Sequence, residues 1–210
     1  RALLVRGCLL SMRAETAAAE ADLLLARDLA RDAGLPLLQA AAWAEWGRLK
    51  GYSPEEGQTE ALERAREVFA AAGDSLRVGR ILCMLATRDS VQGQFQRARA
   101  RNEEALMMVK RSGDRLSELT AVGNLAIAYK ELSMGVLELA TLNEGVRLAR
   151  ELGARRSEAS LLLNLGVYHQ SQGRLSQAEG LYRDSLACAR QVGFLEVEVI
   201  GLANLGDVLK

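Results

Sequence analysis

The chain has 210 residues, 49% of them hydrophobic and 26% charged, a composition typical of a soluble, well-packed protein rather than a disordered one. Its 27 basic residues balance its 27 acidic ones and the two signs are interspersed, so the sequence lacks the basic stripe that contact with DNA or RNA needs. Its apolar runs fall far short of the roughly 18 residues of a membrane span. We therefore expect a cytoplasmic protein with no membrane or direct nucleic-acid contact.

Five glycines recur along the chain at an almost constant spacing. They are separated by 39, 40, 40 and 40 residues: Gly34, Gly73, Gly113, Gly153 and Gly193. Each follows a segment with helical periodicity, which is where a C-capping glycine belongs because it enters the left-handed conformation without steric cost. The spacing predicts a structural repeat of about forty residues.

The repeat divides the chain into similar parts. We place the repeats at about 1–33, 35–72, 74–112, 114–152 and 154–192, with the first helix of a sixth pair at 194–210. Each repeat holds two amphipathic segments, and no alternating β-branched run competes with them. The pattern predicts about eleven helices of roughly 15–18 residues. Paired as antiparallel hairpins, they would form one all-α solenoid, stabilised by packing between neighbouring helices.

Apolar and small residues return at the same register in successive repeats. In the fifth repeat the residues that share a packing face are Leu162, Leu165, Gly166 and His169 on the first helix and Ala178, Leu181, Tyr182 and Ser185 on the second. Small residues that allow close helix approach are Gly7, Gly47, Ala86, Ala126, Gly166 and Gly206 on first helices, and Ala19, Ala98 and Ala178 on second helices. Larger side chains at these positions would push a hairpin open.

This pattern resembles the tetratricopeptide repeat (TPR) family. The residues that carry the resemblance are Trp43, Trp46, Gly47, Val122, Leu125, Ala126, Leu162, Leu165 and Gly166 on first helices and Ala178, Tyr182 and Ser185 on the second. Gln58 and Glu138 depart from it, since each stands where a small alanine is expected. The period is longer than the usual 34 or so residues. It is similar to the variant in LGN/Pins adaptors, kinesin light chains and the TPR sensor regions of bacterial STAND regulators such as the maltose-regulon activator.

HEAT repeats have a similar period, but the paired small residues favour TPR. The resemblance implies a right-handed superhelix whose first helices line a concave groove. Asn124, Asn164 and Asn204 would then form a ladder along that groove, one residue per repeat. In relatives of the LGN and kinesin-light-chain type, asparagine at this register holds extended peptides, since an amide both donates and accepts hydrogen bonds. The alternative is that each asparagine ties neighbouring helices together within the stack.

Other residues of the predicted groove differ between its two halves. The candidate binding residues besides the asparagines are Glu45, Arg48 and Arg80 in the first half and Ile127, Lys130, Val167 and Gln170 in the second. Arg48 and Arg80 could receive an acidic ligand group, but an intramolecular pair, such as Arg48 with Glu45, is the favoured interpretation. The two-cation clamp of chaperone-binding TPR domains is not reproduced, so we do not expect chaperone-tail binding.

Enzyme chemistry finds no support in the sequence, and we expect no catalytic residue, metal site or cofactor. No HExxH, CxxC, P-loop or GxSxG motif occurs. The single histidine, His169, lies on the predicted packing face. Cys8, Cys83 and Cys188 are widely separated, which favours small buried side chains in a reducing compartment.

The sequence therefore predicts a protein- or peptide-binding module, the interaction or sensor part of a larger bacterial signalling or transcriptional regulator. Arginine greatly outnumbers lysine, as in GC-rich bacterial genomes. Two alternatives remain open: a small-molecule sensor that controls an attached effector domain, and a scaffold or oligomerisation unit. Because both ends lie inside helical patterns, we expect a fragment of a longer protein. Its C-terminal helix, with apolar residues over 200–209, would then support self-association.

Overall fold

The computed structural model describes residues 1–49 and 56–210. These two ranges contain eleven α-helices and no β-strand: α1 (Ala2–Met12), α2 (Thr16–Asp32), α3 (Pro36–Leu49), α4 (Glu56–Ala71), α5 (Ser75–Val91), α6 (Phe95–Ser112), α7 (Arg115–Glu131), α8 (Gly135–Glu151), α9 (Arg155–Ser171), α10 (Leu175–Gln191) and α11 (Leu195–Val208). The all-α prediction is confirmed. No helix in these ranges is both long and apolar enough to cross a membrane.

Residues with positive φ follow the helices, as the glycine spacing predicts. The five periodic glycines have φ between 63° and 74°, and Gly93 and Gly173 have φ of 73° and 70° at the turn inside a pair. After α9 the amide of Gly173 donates to the carbonyl of Gln170 at 2.9 Å, and the amide of Arg174 donates to His169 at 3.0 Å. These bonds satisfy carbonyls that the helix end leaves open. Ser133 takes the glycine position in the fourth repeat with φ of 57°.

The chain forms two compact units, residues 1–114 (unit 1) and 115–210 (unit 2). In unit 1 each helix from α1 to α6 packs against the next in sequence. Its core is lined with apolar residues of both helices of each pair, including Leu23, Leu62, Phe69, Ile81, Leu85, Ala98 and Val109. Gln58, which replaces the expected alanine, is fully buried and accepts a hydrogen bond at 2.9 Å from the buried Arg88.

Unit 2 repeats the same arrangement with α7 to α11, and α11 also contacts α9. Its core includes Leu142, Leu148, Leu162, Leu165, Tyr182, Ala189 and Val197. Gly166 lies against the ring of Tyr182, as the small-residue prediction requires. Gly206 is different, because nothing lies within 4 Å of the position its Cβ would occupy. The face of α11 also leaves Leu195 and Val199 largely exposed, at 72% and 66%. Self-association through this helix stays a prediction.

A charged bridge between consecutive hairpins occurs at Glu158 and again forty residues later at Glu198, and the sequence-based interpretation missed it. Glu118, Glu158 and Glu198 stand in the first turn of α7, α9 and α11. Glu158, 3% exposed, accepts hydrogen bonds at 2.8 Å from Arg150 on α8 and from Arg155. Burial alone would raise the pKa of Glu158, but the two arginines outweigh burial and hold that pKa below its usual value. The bridge ties consecutive hairpins of unit 2 together.

Candidate functional site

The three asparagines of the predicted ladder lie on the first helices of unit 2. Asn124 is on α7, Asn164 on α9 and Asn204 on α11, and each side chain is half-buried. Helices α9 and α11 pack directly against each other, which brings two of these registers onto one surface. We call this the α9–α11 surface, defined by Asn164, Val167 and Gln170 of α9 with Ile200 and Asn204 of α11. The α7 residues Asn124, Ile127 and Lys130 hold the same registers one repeat earlier.

Asn204 interacts with a residue inside the helix stack. Its side chain is close to the hydroxyl of Tyr182, a fully buried residue of α10, and the polar interaction between them opposes the rise that burial causes in the pKa of Tyr182. The same hydroxyl donates to Oε1 of Gln170 at 2.5 Å. Gln170 and Asn204 thus share one buried phenol that links α9, α10 and α11. For Asn204 this interaction favours the helix-tying alternative.

Asn164 has no such partner, although it occupies the same register. The α8 residue that corresponds to Tyr182 is Leu142, whose side chain has no polar atom. No hydrogen bond involves the Asn164 side chain within residues 1–49 and 56–210. Since the residue is half-buried and its amide atoms are not fully enclosed, its donor and acceptor remain available to a ligand.

Asn164 and Asn204 should therefore respond differently to replacement by alanine. For Asn164→Ala the free energy of unfolding should stay the same or rise by up to about 0.7 kcal/mol, because alanine is the better helix former. For Asn204→Ala the lost interaction with the buried Tyr182 hydroxyl, worth about 1 kcal/mol, should leave the variant less stable than Asn164→Ala. Urea unfolding followed by circular dichroism measures both. Equal stabilities would contradict the stabilising interaction of Asn204 with Tyr182.

Leu163 precedes Asn164 in the sequence but does not share its exposure. It is only 6% exposed. Its Cδ1 lies 3.9 Å from the position that a Cβ on Gly201 of α11 would take. Leu163 is therefore part of the core, because α11 packs over α9 at this point. Val167 and Gln170 remain half-buried, as a surface at the edge of a groove requires.

The charged candidates are already paired within the chain. Arg48 donates from Nε and Nη2 to Oε2 of Glu45 at 3.0 and 2.8 Å, so the favoured interpretation of that arginine is confirmed. Arg80 donates from Nε to Asp114 at 2.7 Å, a partner that the sequence did not indicate. Lys130 lies 3.8 Å from Glu131. Such exposed pairs contribute only about 0–1 kcal/mol each, so an incoming ligand could still compete for these cations.

Unit 1 contains a cavity that the sequence did not reveal. It has a volume of about 390 Å³ and lies between the first helices α1, α3 and α5, with one residue of α4. Its lining residues are Leu4, Val5, Cys8, Leu9, Ala41, Ala44, Glu45, Phe69, Arg77, Arg80, Ile81 and Met84. Of the charged residues that the sequence indicated for this half, Glu45 and Arg80 line the cavity and Arg48 does not. The sequence feature that could have indicated this cavity is the excess of aliphatic residues on α1. Two of them, Val5 and Leu9, are 58% and 55% exposed in the structure.

The remaining reactive side chains are held in packing environments. Cys83 and Cys188 are buried, whereas Cys8 is half-buried. Burial raises the pKa of Cys83 to about 12, so its thiol stays protonated and unreactive at neutral pH. Burial and the charge of Arg174 lower the pKa of His169, whose imidazole is therefore neutral near pH 7. Residues 1–49 and 56–210 contain no group of three His, Cys, Asp or Glu side chains arranged to hold a metal ion.

The arrangement of helices is similar to that of several solved structures. A STAND protein with a TPR sensor from Pyrococcus horikoshii matches with a TM-score of 0.79 and 15% identity, over 98% of this chain and 32% of that one. Aspartyl phosphate phosphatase F from Bacillus subtilis matches with a TM-score of 0.75 and 13% identity, over 98% and 53%. The nearly identical TPR-like repeats of a kinesin light chain from Podospora anserina match with a TM-score of 0.71 and 16% identity, over 92% and 95%.

The chain thus spans about a third and about half of the first two of these proteins. No protein-family model matches the sequence, and no curated protein matches it either. At these identities the likeness is one of fold, and the fold is of the TPR type.

Proposed function

We propose that this TPR-type chain is a non-catalytic module that binds an extended segment of a partner protein on the α9–α11 surface. It would serve as the interaction or sensor part of a larger bacterial signalling or transcriptional regulator. The TPR sensor of the STAND protein, which matches 98% of this chain, supports the sensor context. Repeat modules of this kind present one long face to a ligand, and that face changes from repeat to repeat without loss of the stack.

The proposal rests on the side-chain amide of Asn164, which has no hydrogen-bond partner among the described residues. It stands on a first helix, half-buried, beside the apolar Val167, while the asparagine at the same register of α11 interacts with the Tyr182 hydroxyl inside the stack. An amide in this position can pair with the N–H and C=O of one peptide unit. Val167 and Ile200 then offer apolar contact to side chains of the bound segment.

A library of random peptides displayed on phage and panned on the full chain tests the proposal. Clones that bind the unaltered chain should bind Asn164→Ala about 2- to 10-fold more weakly, the loss of one or two hydrogen bonds. Val167→Asp should weaken them further, because it places a charge at the apolar contact.

Asn143→Ala is the matched control for the binding experiment. Asn143 is an exposed asparagine of α8 in the same unit, and its amide donates to the carbonyl of Leu139. It belongs to a second helix, so its loss should leave peptide affinity unchanged. Equal binding by the unaltered chain and Asn164→Ala, or greater loss in Asn143→Ala, would remove the α9–α11 surface as the site.

A further inference from the structure

The unit 1 cavity has the dimensions and lining of a ligand site. Its volume of about 390 Å³ falls within the roughly 300–1,000 Å³ of typical small-molecule sites. Apolar side chains from α1, α3 and α5 form most of the wall, and the buried ring of Phe69 lies at the α4 side. A second cavity of about 660 Å³ adjoins it, since both are lined by Leu4, Val5, Ala41 and Arg77. The apolar space is therefore elongated.

The hydrogen-bond acceptor in this cavity is already occupied. Glu45 accepts two hydrogen bonds from Arg48, and the Cys8 thiol lies near the same carboxylate. The carboxylate of Glu45 thus has little capacity left for a donor on a ligand. A cationic or donor-rich molecule would have to displace the two bonds from Arg48.

Hydrogen-bond donors, in contrast, remain available. Arg80 donates a hydrogen bond from Nε to Asp114, and Arg77 donates one from Nη1 to Asp74. The guanidinium of Arg77 also lies 5.1 Å from the centre of the Phe69 ring. The other guanidinium N–H groups of these two arginines have no hydrogen-bond partner in the described part of the chain. A guanidinium has five N–H groups, and a carboxylate is the acceptor that matches their geometry.

We propose that the unit 1 cavity binds an aliphatic carboxylate of medium chain length. Its hydrocarbon tail would lie against Leu4, Val5 and Met84, and its carboxylate would accept hydrogen bonds from Arg77 and Arg80. This ligand covers the exposed parts of Val5 and Leu9, which water now contacts, and the removal of apolar surface from water favours binding. The site lies in unit 1 and does not depend on the α9–α11 surface.

Three ligands of equal tail length, titrated calorimetrically into the full chain below their micelle-forming concentrations, test the ligand class. Decanoate should bind with a Kd below about 1 mM. Decanol, which keeps the tail and loses the charge, should bind at least about 3-fold more weakly, and decylammonium more weakly still. An absence of decanoate binding, or decylammonium binding as tight as decanoate, would overturn the proposal.

Variants locate the site. Ala44→Phe fills the cavity and should lower decanoate affinity at least about 10-fold, whereas Ala100→Phe, on the exposed side of α6, should not. Arg80→Gln should lower decanoate affinity toward that of decanol, since Arg77 remains, and should leave decanol binding unchanged. Arg64→Gln, which removes an exposed arginine of α4 outside the cavity, is the charge control. Retained decanoate binding in Ala44→Phe would show that the ligand lies elsewhere.

Circular dichroism shows whether Ala44→Phe folds. If it does not, Met84→Ser takes its place, because Met84 is half-buried and a smaller side chain fits there without clash. Met84→Ser should weaken decanoate and decanol equally, since both have the same tail. Unchanged affinity for both ligands would exclude the cavity. None of these titrations uses a peptide. A negative result for decanoate therefore does not affect the test of peptide binding on the α9–α11 surface.

Discussion

Replacing Gly166 with alanine should destabilise the chain by about 2 kcal/mol, although alanine is the better helix former by about 1 kcal/mol. A Cβ at this position would lie 2.5 Å from Cε1 and 2.7 Å from Cδ1 of Tyr182. The ring cannot move aside cheaply, because Tyr182 is fully buried and its hydroxyl donates to Gln170. Urea unfolding measures the change in the free energy of unfolding.

Gly206→Ala is the matched control, since Gly206 has the same register forty residues later. Nothing lies within 4 Å of the Cβ it would gain. This variant should be more stable than the unaltered chain by about 0.5–1 kcal/mol, the ordinary benefit of alanine in a helix. Loss of stability in Gly206→Ala similar to that in Gly166→Ala would mean that the Tyr182 contact is not the cause.

A compensating variant tests the same contact from the other side. One repeat earlier the two registers are held by Ala126 and Leu142, both buried. The double variant Gly166→Ala with Tyr182→Leu reproduces that pair, so it should be less destabilised than the sum of the two single changes. Additive effects would show that Gly166 and Tyr182 do not constrain each other.

Replacing Glu158 with glutamine should cost about 1–2 kcal/mol at neutral pH, because two hydrogen bonds to a buried charge are weakened. Glu158 is 3% exposed and accepts one hydrogen bond from Arg150 and one from Arg155, each at 2.8 Å. Glu198→Gln is the control, since Glu198 is more exposed and pairs with Arg190 alone. Its cost should stay below about 1 kcal/mol.

The cost of Glu158→Gln should also depend on pH. The pKa of Glu158 is lowered from its ordinary value of 4.5, so the ionised carboxylate contributes stability above pH 4.5. That contribution is lost as the pH falls from 4.5 through the lower pKa of the folded state. Urea unfolding of both chains at a series of pH values should therefore show their stabilities converging in acid. A constant difference down to the lowest pH at which both chains fold would contradict this role.

The sequence determined the helices, their ends and the close contacts between paired helices. These features follow from local rules: apolar periodicity sets each helix face, and a residue that tolerates positive φ ends the helix. Gly166 and Ala178 are accordingly where the repeat placed them, at buried positions between helices. The forty-residue period made each such inference testable against the neighbouring repeats, so the TPR-type fold could be predicted from the sequence.

Only the tertiary structure decided which polar groups are free. Asn164 and Asn204 are identical in residue type and register, yet Asn204 interacts with the Tyr182 hydroxyl, whereas Asn164 has no polar partner within residues 1–49 and 56–210. The difference comes from the residue that the preceding second helix supplies, and no local rule couples positions on different hairpins. Arg80 likewise pairs with Asp114, which lies 34 residues away in the sequence. The unit 1 cavity forms where α1, α3 and α5 come together. Burial and hydrogen bonding depend on neighbours in space, so the candidate sites could not be assigned from a repeating sequence that predicts the fold.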